Sequence, residues 1–223
     1  MEAEWLHLVV RLSAQSALEW ESDFALVEAE QHALVRTGRW ISGPSDLMAV
    51  LGIAGNELSH SAVLAWLLAP AHRHGWGDAV LRALATTLWP EDLFPDGPVV
   101  VERERVDPVG IGTRADVLAW VGVRVRLFVI ENKVFAPESL AQCELLYESW
   151  RDQATDVRFA LLSRTGAPPT SVLTDEARTA WRSFSHRQLA DIVDALIQER
   201  PPVDDLAAST IRQYLATLRR YVA

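Results

Sequence analysis

Apolar side chains recur at helical spacing through residues 4–36: Trp5, Leu8, Val9 and Leu12, then Phe24, Leu26, Val27 and Leu34, with charges between them. The pattern predicts helix, with Ser22 or Asp23 placed to cap a second segment. Residues 38–44, running from a glycine to a proline, break it. A short helix is expected at 45–51 and a longer one at 57–69, entered through Gly55 and Asn56 and stopped by Pro70. Another spans about 77–88 and ends before Pro90.

The period then falls from about 3.6 to 2. The run VVVERERV at 99–106 alternates, 114–121 is a second β-rich stretch and 123–134 a third, with Gly122 making a hairpin turn between the last two. Helical spacing returns at 138–152, a short apolar strand follows at 157–163, and 166–169 is a loop. Residues 182–185 are a candidate last strand; 187–199 and 204–221 are helices separated by Pro201 and Pro202. Helices, three mostly antiparallel strands, a crossover helix, a strand and further helices make an α/β fold with a central mixed sheet flanked by helices.

Length and composition sharpen this picture in a few places. With 223 residues and 49% hydrophobic content, one domain with a sizeable core is expected, with residues 1–44 as an N-terminal helical extension. No stretch approaches the roughly 20 apolar residues that span a bilayer, and the N-terminus lacks the basic start and apolar run of a signal peptide. A cytoplasmic protein without a membrane partner is expected. The lone Cys143 has no second cysteine for a disulfide or a zinc knuckle and reads as a packed thiol.

The balance of 21 basic against 30 acidic residues, a net charge of −9, argues against nonspecific grip on a polyanion. An acidic protein acting on nucleic acid must rely on a local basic lining, on bound cations or on a partner subunit. Of the 21 basic residues, 20 are Arg, and Lys133 is the single lysine. A position that keeps Lys in such a background calls for a compact ammonium, for which the planar guanidinium is a poor substitute.

That lysine sits in VIENKV. Glu131 and Lys133 are two apart, so on a strand both side chains leave one face while Ile130 and Asn132 leave the other. The apolar run 127–130 makes the strand central, where buried charge is costly unless it is paired or holds a metal. The preceding strand supplies Asp116; a turn centred near residue 123 sets it across from about residue 130, roughly 5 Å away. Two carboxylates and one ammonium then converge. Such a group suits phosphodiester hydrolysis: the oxygens and the backbone carbonyl of Asn132 bind a hard cation such as Mg²⁺, and the lysine orients or deprotonates a water and stabilises charge on the phosphate. An ordinary cross-strand salt bridge is the bland reading of an E-x-K pair. Asp116 at hairpin distance, the apolar run and the solitary lysine favour the chemical one.

The arrangement of Asp116, then Glu131, Asn132 and Lys133, followed by a helix carrying Gln142, resembles the PD-(D/E)xK nuclease superfamily, which shares the restriction-endonuclease core. More narrowly, NELSHSAVLAWLLAP at 56–70, RADVLAW, VIENKVFAPESLAQ and FALLSRTGAPP resemble a bacterial family of nucleases within it. The likeness runs from about residue 56 to the C-terminus, so 56–223 is the expected nuclease core. It implies a metal-dependent enzyme acting on DNA, with Mg²⁺ as its ion and Mn²⁺ able to substitute, in a genome-defence setting. By the same likeness Asp116 and Glu131 are metal ligands, Lys133 is the catalytic lysine, Glu57 is the acidic residue of the first core helix and Gln142 belongs to the site. Ala115 stands where the superfamily's name has proline, and Tyr147 falls one residue late for the family's Gln-x-x-x-Tyr pairing. A binding or assembly subunit without catalysis and a nuclease acting on RNA remain alternatives. A homodimer, for which the N-terminal helices are the spare surface, or a partner subunit supplying DNA grip, is the expected assembly.

The segment beginning at Glu57 also reads on its own. Glu57, His60, Ser61 and Leu64 form one helical stripe, which could carry an acid and a His to the metal and phosphate. A first-turn Glu favoured by the helix dipole and a His satisfied in the core explain the same spacing. His72 and His74 have an H-x-H spacing without a third ligand. Glu102 and Glu104 either add a carboxylate or face solvent by alternation. Trp20, Trp66, Trp120 and Trp150 sit in apolar patterns and are expected in the core.

Overall fold

The computed structural model describes residues 2–202 and 204–222, with side chains from Ser13 onward. The chain divides into two units, Met1–Pro44 and Ser45–Ala223. The first holds α1 (Glu2–Arg36), one uninterrupted helix. Ser22 and Asp23 lie inside it and cap nothing: the exposed surface of a helix rich in Ala, Leu and Glu tolerates both at small cost. Leu18, Trp20, Phe24, Leu26, Val27 and Val35 are exposed, so Trp20 is not the core residue expected. Among the described residues of this unit no second helix or sheet is present to cover them. The side chains of Trp5, Leu8, Val9 and Leu12 lie outside the described residues.

The second unit is built on a sheet whose strands follow chain order, β1 (Val99–Val106), β2 (Arg114–Val121), β3 (Arg126–Lys133), β4 (Asp156–Ser163) and β5 (Trp181–Ser185). The first three are antiparallel, and β3, β4 and β5 run parallel. This is a mixed five-stranded sheet flanked by helices, consistent with the restriction-endonuclease-like architecture. Strand β3 is paired on both sides, and its Leu127 to Asn132 are all buried, which explains a continuous apolar run where alternation would mark a half-exposed strand. It begins at 126 and not at 123, because the hairpin takes four residues. Gly122 (φ +66°) supplies the left-handed turn, and Val123 and Val125 remain exposed.

Helices α2 (Leu47–Val50), α3 (Glu57–Leu68), α4 (Ala79–Leu88), α7 (His186–Glu199) and α8 (Asp205–Thr217) belong to this unit, and α8 runs on into a π-helical turn at Leu218–Val222. Leu64 and Leu67 of α3, Leu81 of α4, Val193 of α7 and Ile211 of α8 pack with Val117, Phe128 and Ile130 in one core layer. On the opposite face α5 (Gln142–Trp150) and α6 (Asp175–Ala180) close a smaller core of Leu118, Leu127, Val129, Leu146, Phe159 and Trp181. Helix α6 was not foreseen: four polar residues and two alanines carry no apolar periodicity, and only the Thr174 cap and the acids behind it signal a helix. No helix among the described residues is long and apolar enough to cross a membrane.

Candidate active site

The C-terminal end of β3 gathers the residues singled out from the sequence. The β2–β3 ladder ends at Val117 and Ile130, so one further step sets Asp116 opposite Glu131, one residue on from the expected register. The Asn132 N–H donates to Asp116 Oδ2 at 2.8 Å, which locks that step. Lys133 follows the strand alternation and brings its Nζ within 2.9 Å of Glu131 Oε1. Gln142, in the first turn of α5, donates from Nε2 to the same oxygen at 2.5 Å and accepts from the Ser139 N–H at 3.0 Å.

Glu57 reaches the site from the first turn of α3. Asn56 caps that helix by accepting from the Ser59 N–H, which aims the next side chain at the β3 end. Glu57 Oε1 accepts from the N–H groups of Val134 at 2.9 Å and Ala136 at 3.3 Å, and Oε2 lies 3.5 Å from Lys133 Nζ. Asp116, Glu131, Lys133, Glu57 and Gln142 thus line one cleft of about 670 Å³.

A sequence profile for the PD-(D/E)XK nuclease superfamily matches residues 45–216. The chain belongs to this superfamily. Searches among curated proteins and among solved structures find no match.

Electrostatics within the PD-(D/E)XK core show what the site lacks. Burial, outweighing the Asn132 hydrogen bond and the Lys133 charge, pushes the Asp116 carboxyl up to about 6. Burial and then the neighbouring Asp116 raise Glu131 to about 8. Burial opposes the Lys133 ammonium, yet the Glu131 carboxylate beside it wins, and its pKa lies above the ordinary lysine value. Among the described residues, Glu131 Oε2 is buried with no hydrogen-bond partner. PD-(D/E)XK nucleases generally use divalent metal ions, and this donor set fits one: hard carboxylate oxygens, one of them unpartnered, in surroundings short of positive charge. The Asn132 N–H faces Asp116, so its carbonyl leaves the strand on the same side. Among the described residues no three His, Cys, Asp or Glu side chains converge on an ion position. An ion held by Asp116 and Glu131 would need a backbone carbonyl and water to complete its shell.

The Asn132 side chain points away from the cleft. It donates to the Glu57 carbonyl at 3.3 Å and to Ser61 Oγ at 3.2 Å, and accepts from His186 Nε2 at 3.0 Å. Burial, reinforced by His60, lowers His186 to about 3, so it is neutral. Sequence reasoning missed His186, whose only mark was its place after the capping residue Ser185. His60 does not face the cleft: it is fully buried, with Nδ1 3.3 Å from Tyr214 Oη and Nε2 donating to the Ala54 carbonyl at 2.9 Å. His74 is likewise buried, against the carbonyls of Trp66 and Ala69. Tyr147 packs on Phe159 in the smaller core, Trp120 donates to Glu102 Oε2 at 2.9 Å, and Cys143 is buried with its thiol pKa raised by burial.

Proposed function

We propose that this chain is a divalent-metal-dependent deoxyribonuclease that hydrolyses phosphodiester bonds, with Mg²⁺ as its ion and Mn²⁺ able to replace it. The observation that carries the reading is the buried, unpartnered Glu131 Oε2 beside Asp116 and the solitary lysine. A carboxylate placed there costs stability unless a cation completes it. Asp116, Glu131 and the Asn132 carbonyl are the proposed protein ligands. When bound, the ion polarises a phosphoryl oxygen and lowers the pKa of a water.

The side chains supply the rest. Lys133, kept as an ammonium by Glu131 and Glu57, donates to the phosphate or the attacking water and offsets charge developing on the phosphoryl oxygens. Gln142 fixes the rotamer of Glu131 through its 2.5 Å hydrogen bond. Glu57, with one oxygen held by backbone amides, orients Lys133 and would help hold a bound ion through water. DNA as substrate rests on the family likeness of the motifs. A homodimer supplying further grip is proposed through α1, whose exposed Trp20, Phe24 and Val27 offer apolar surface for a second copy.

Wild type and Lys133→Ala are to be compared on plasmid, linear and single-stranded DNA and on RNA, with Mg²⁺, Mn²⁺ or EDTA. Cleavage by the wild type that EDTA stops and Lys133→Ala reduces about 10²- to 10⁴-fold is expected. Equal cutting by both proteins would remove the assignment; preference for RNA would change the substrate.

A further inference from the structure

Two cations line the cleft, and they are held differently. Lys133 is 14% exposed and its ammonium is committed to Glu131 and Glu57. Arg114, the first residue of β2 and two before Asp116, is 55% exposed along its side chain. Its ion-pair partner among the described residues is Glu104, whose Oε2 lies 2.8 Å from Arg114 Nε. That contact occupies the inner nitrogen of the guanidinium and leaves the terminal Nη fork without a protein partner among the described residues.

Glu104 is shaped around this pairing. Its φ of +52° lies in the left-handed region that non-glycine residues seldom adopt. The β1–β2 ladder registers Arg103 with Val117 and Arg105 with Ala115 but skips the step between, where Glu104 faces Asp116. Both Glu104 carboxylate oxygens are buried, and among the described residues neither accepts a well-aligned hydrogen bond, so the 2.8 Å ion pair with Arg114 Nε is what meets Oε2. The Arg114 charge is therefore what compensates a carboxylate placed at a backbone cost. A surface ion pair formed by chance requires neither the strained backbone nor the buried oxygens.

We propose that Arg114 is a phosphate clamp, its free Nη edge gripping a backbone phosphate of the DNA strand entering the cleft, and that Glu104 is the positioning residue that aims it. A chain of net charge −9 with three carboxylates lining the cleft repels a polyanion, so the cation at the opening decides whether a strand is held. The planar guanidinium fork matches two phosphate oxygens, which an ammonium does not. The inference rests on the nuclease reading and adds to it the group that holds the substrate.

The test measures anisotropy of a fluorescein-labelled DNA duplex in the Lys133→Ala background, so that the strand is not consumed. Adding Arg114→Ala is expected to weaken binding roughly 10- to 100-fold and to lower the slope of log affinity against log salt by about one. Arg114→Lys recovers only part of the loss. Glu104→Gln weakens binding several-fold when Arg114 is present and not at all when it is Ala, a non-additivity that general destabilisation would not produce. In cleavage assays the single variant Arg114→Ala raises KM far more than it lowers kcat. Unchanged affinity and salt slope in Arg114→Ala overturn the clamp, as does full additivity with Glu104→Gln. If Lys133→Ala still cuts like the wild type, the nuclease reading fails separately, and anisotropy still decides whether Arg114 binds phosphate.

Discussion

The Asn132 side chain joins β3, α3 and α7 at one point. Because Glu131 and Lys133 flank it, this junction fixes the depth at which both enter the cleft. Asn132→Ala leaves buried polar groups of Ser61 and His186 unmatched, and a loss of about 2–3 kcal/mol in urea unfolding is expected. His186 gives the same junction a pH dependence. Its folded pKa of about 3 lies below the unfolded histidine value, so between the two the unfolded chain binds the proton and the folded chain does not. The His186 contribution to stability should be flat above about pH 7 and fall as pH drops from about 6.5 towards 3, by up to about 1.4 kcal/mol per pH unit. It is opposite in sign to the contributions of Asp116 and Glu131, whose raised pKa values favour the folded chain towards acid. Urea midpoints against pH test it: His186→Gln should flatten the acid limb, and an unchanged slope would contradict the assignment. At this scale Asp116, Glu131 and Lys133 were legible because strand spacing alone puts them together. Glu57 needed a family likeness, since a helix-dipole role explains the same residue. Glu104 with Arg114 was not legible, because it depends on an irregular step in the β1–β2 ladder that alternation does not announce, and Asn132 with His186 was not, because β3 and α7 lie far apart in the chain.

The helix expected at 138–152 begins only at Gln142, and residues 138–141 belong to the loop between β3 and α5. Glu138 accounts for the difference. Its carboxylate accepts from the N–H and hydroxyl groups of Thr170 and Ser171, which draws it out of any local helix and holds its pKa below the usual carboxylate range despite partial burial. Glu144 does the same with Leu173 and Thr174. Between these two staples sits Gln142, after Ala141 in a left-handed conformation at φ +55°. Helix α5 therefore begins where a loop thirty residues away allows, which periodicity cannot report. Glu138→Ala is expected to cost about 1–3 kcal/mol and to slow cleavage by freeing Gln142. Chemical denaturation and kcat at saturating substrate would show it; a variant with full activity would mean that Gln142 needs no such support. Strands β1 and β2, in contrast, matched their expected limits, because alternation and turn residues are local signals.

For the whole molecule, the division at Pro44 and Ser45 predicts that a chain beginning at Ser45 folds cooperatively, since both core layers lie within 45–223. Sedimentation should find that chain monomeric and the full chain self-associated if the exposed apolar positions of α1 bind a second copy. Equal masses for the two would exclude α1 as the contact. The overall architecture was readable from the succession of periods, whereas the exposure of Trp20 was not, because apolar spacing does not say whether a covering layer exists. The solitary lysine also gives the protein a built-in spectroscopic reporter. Labelling with ¹⁵N-lysine places a single side-chain ammonium signal in the spectrum, that of Lys133. Titrating a divalent ion or an oligonucleotide would then be read at the proposed reacting centre, without assigning any other resonance.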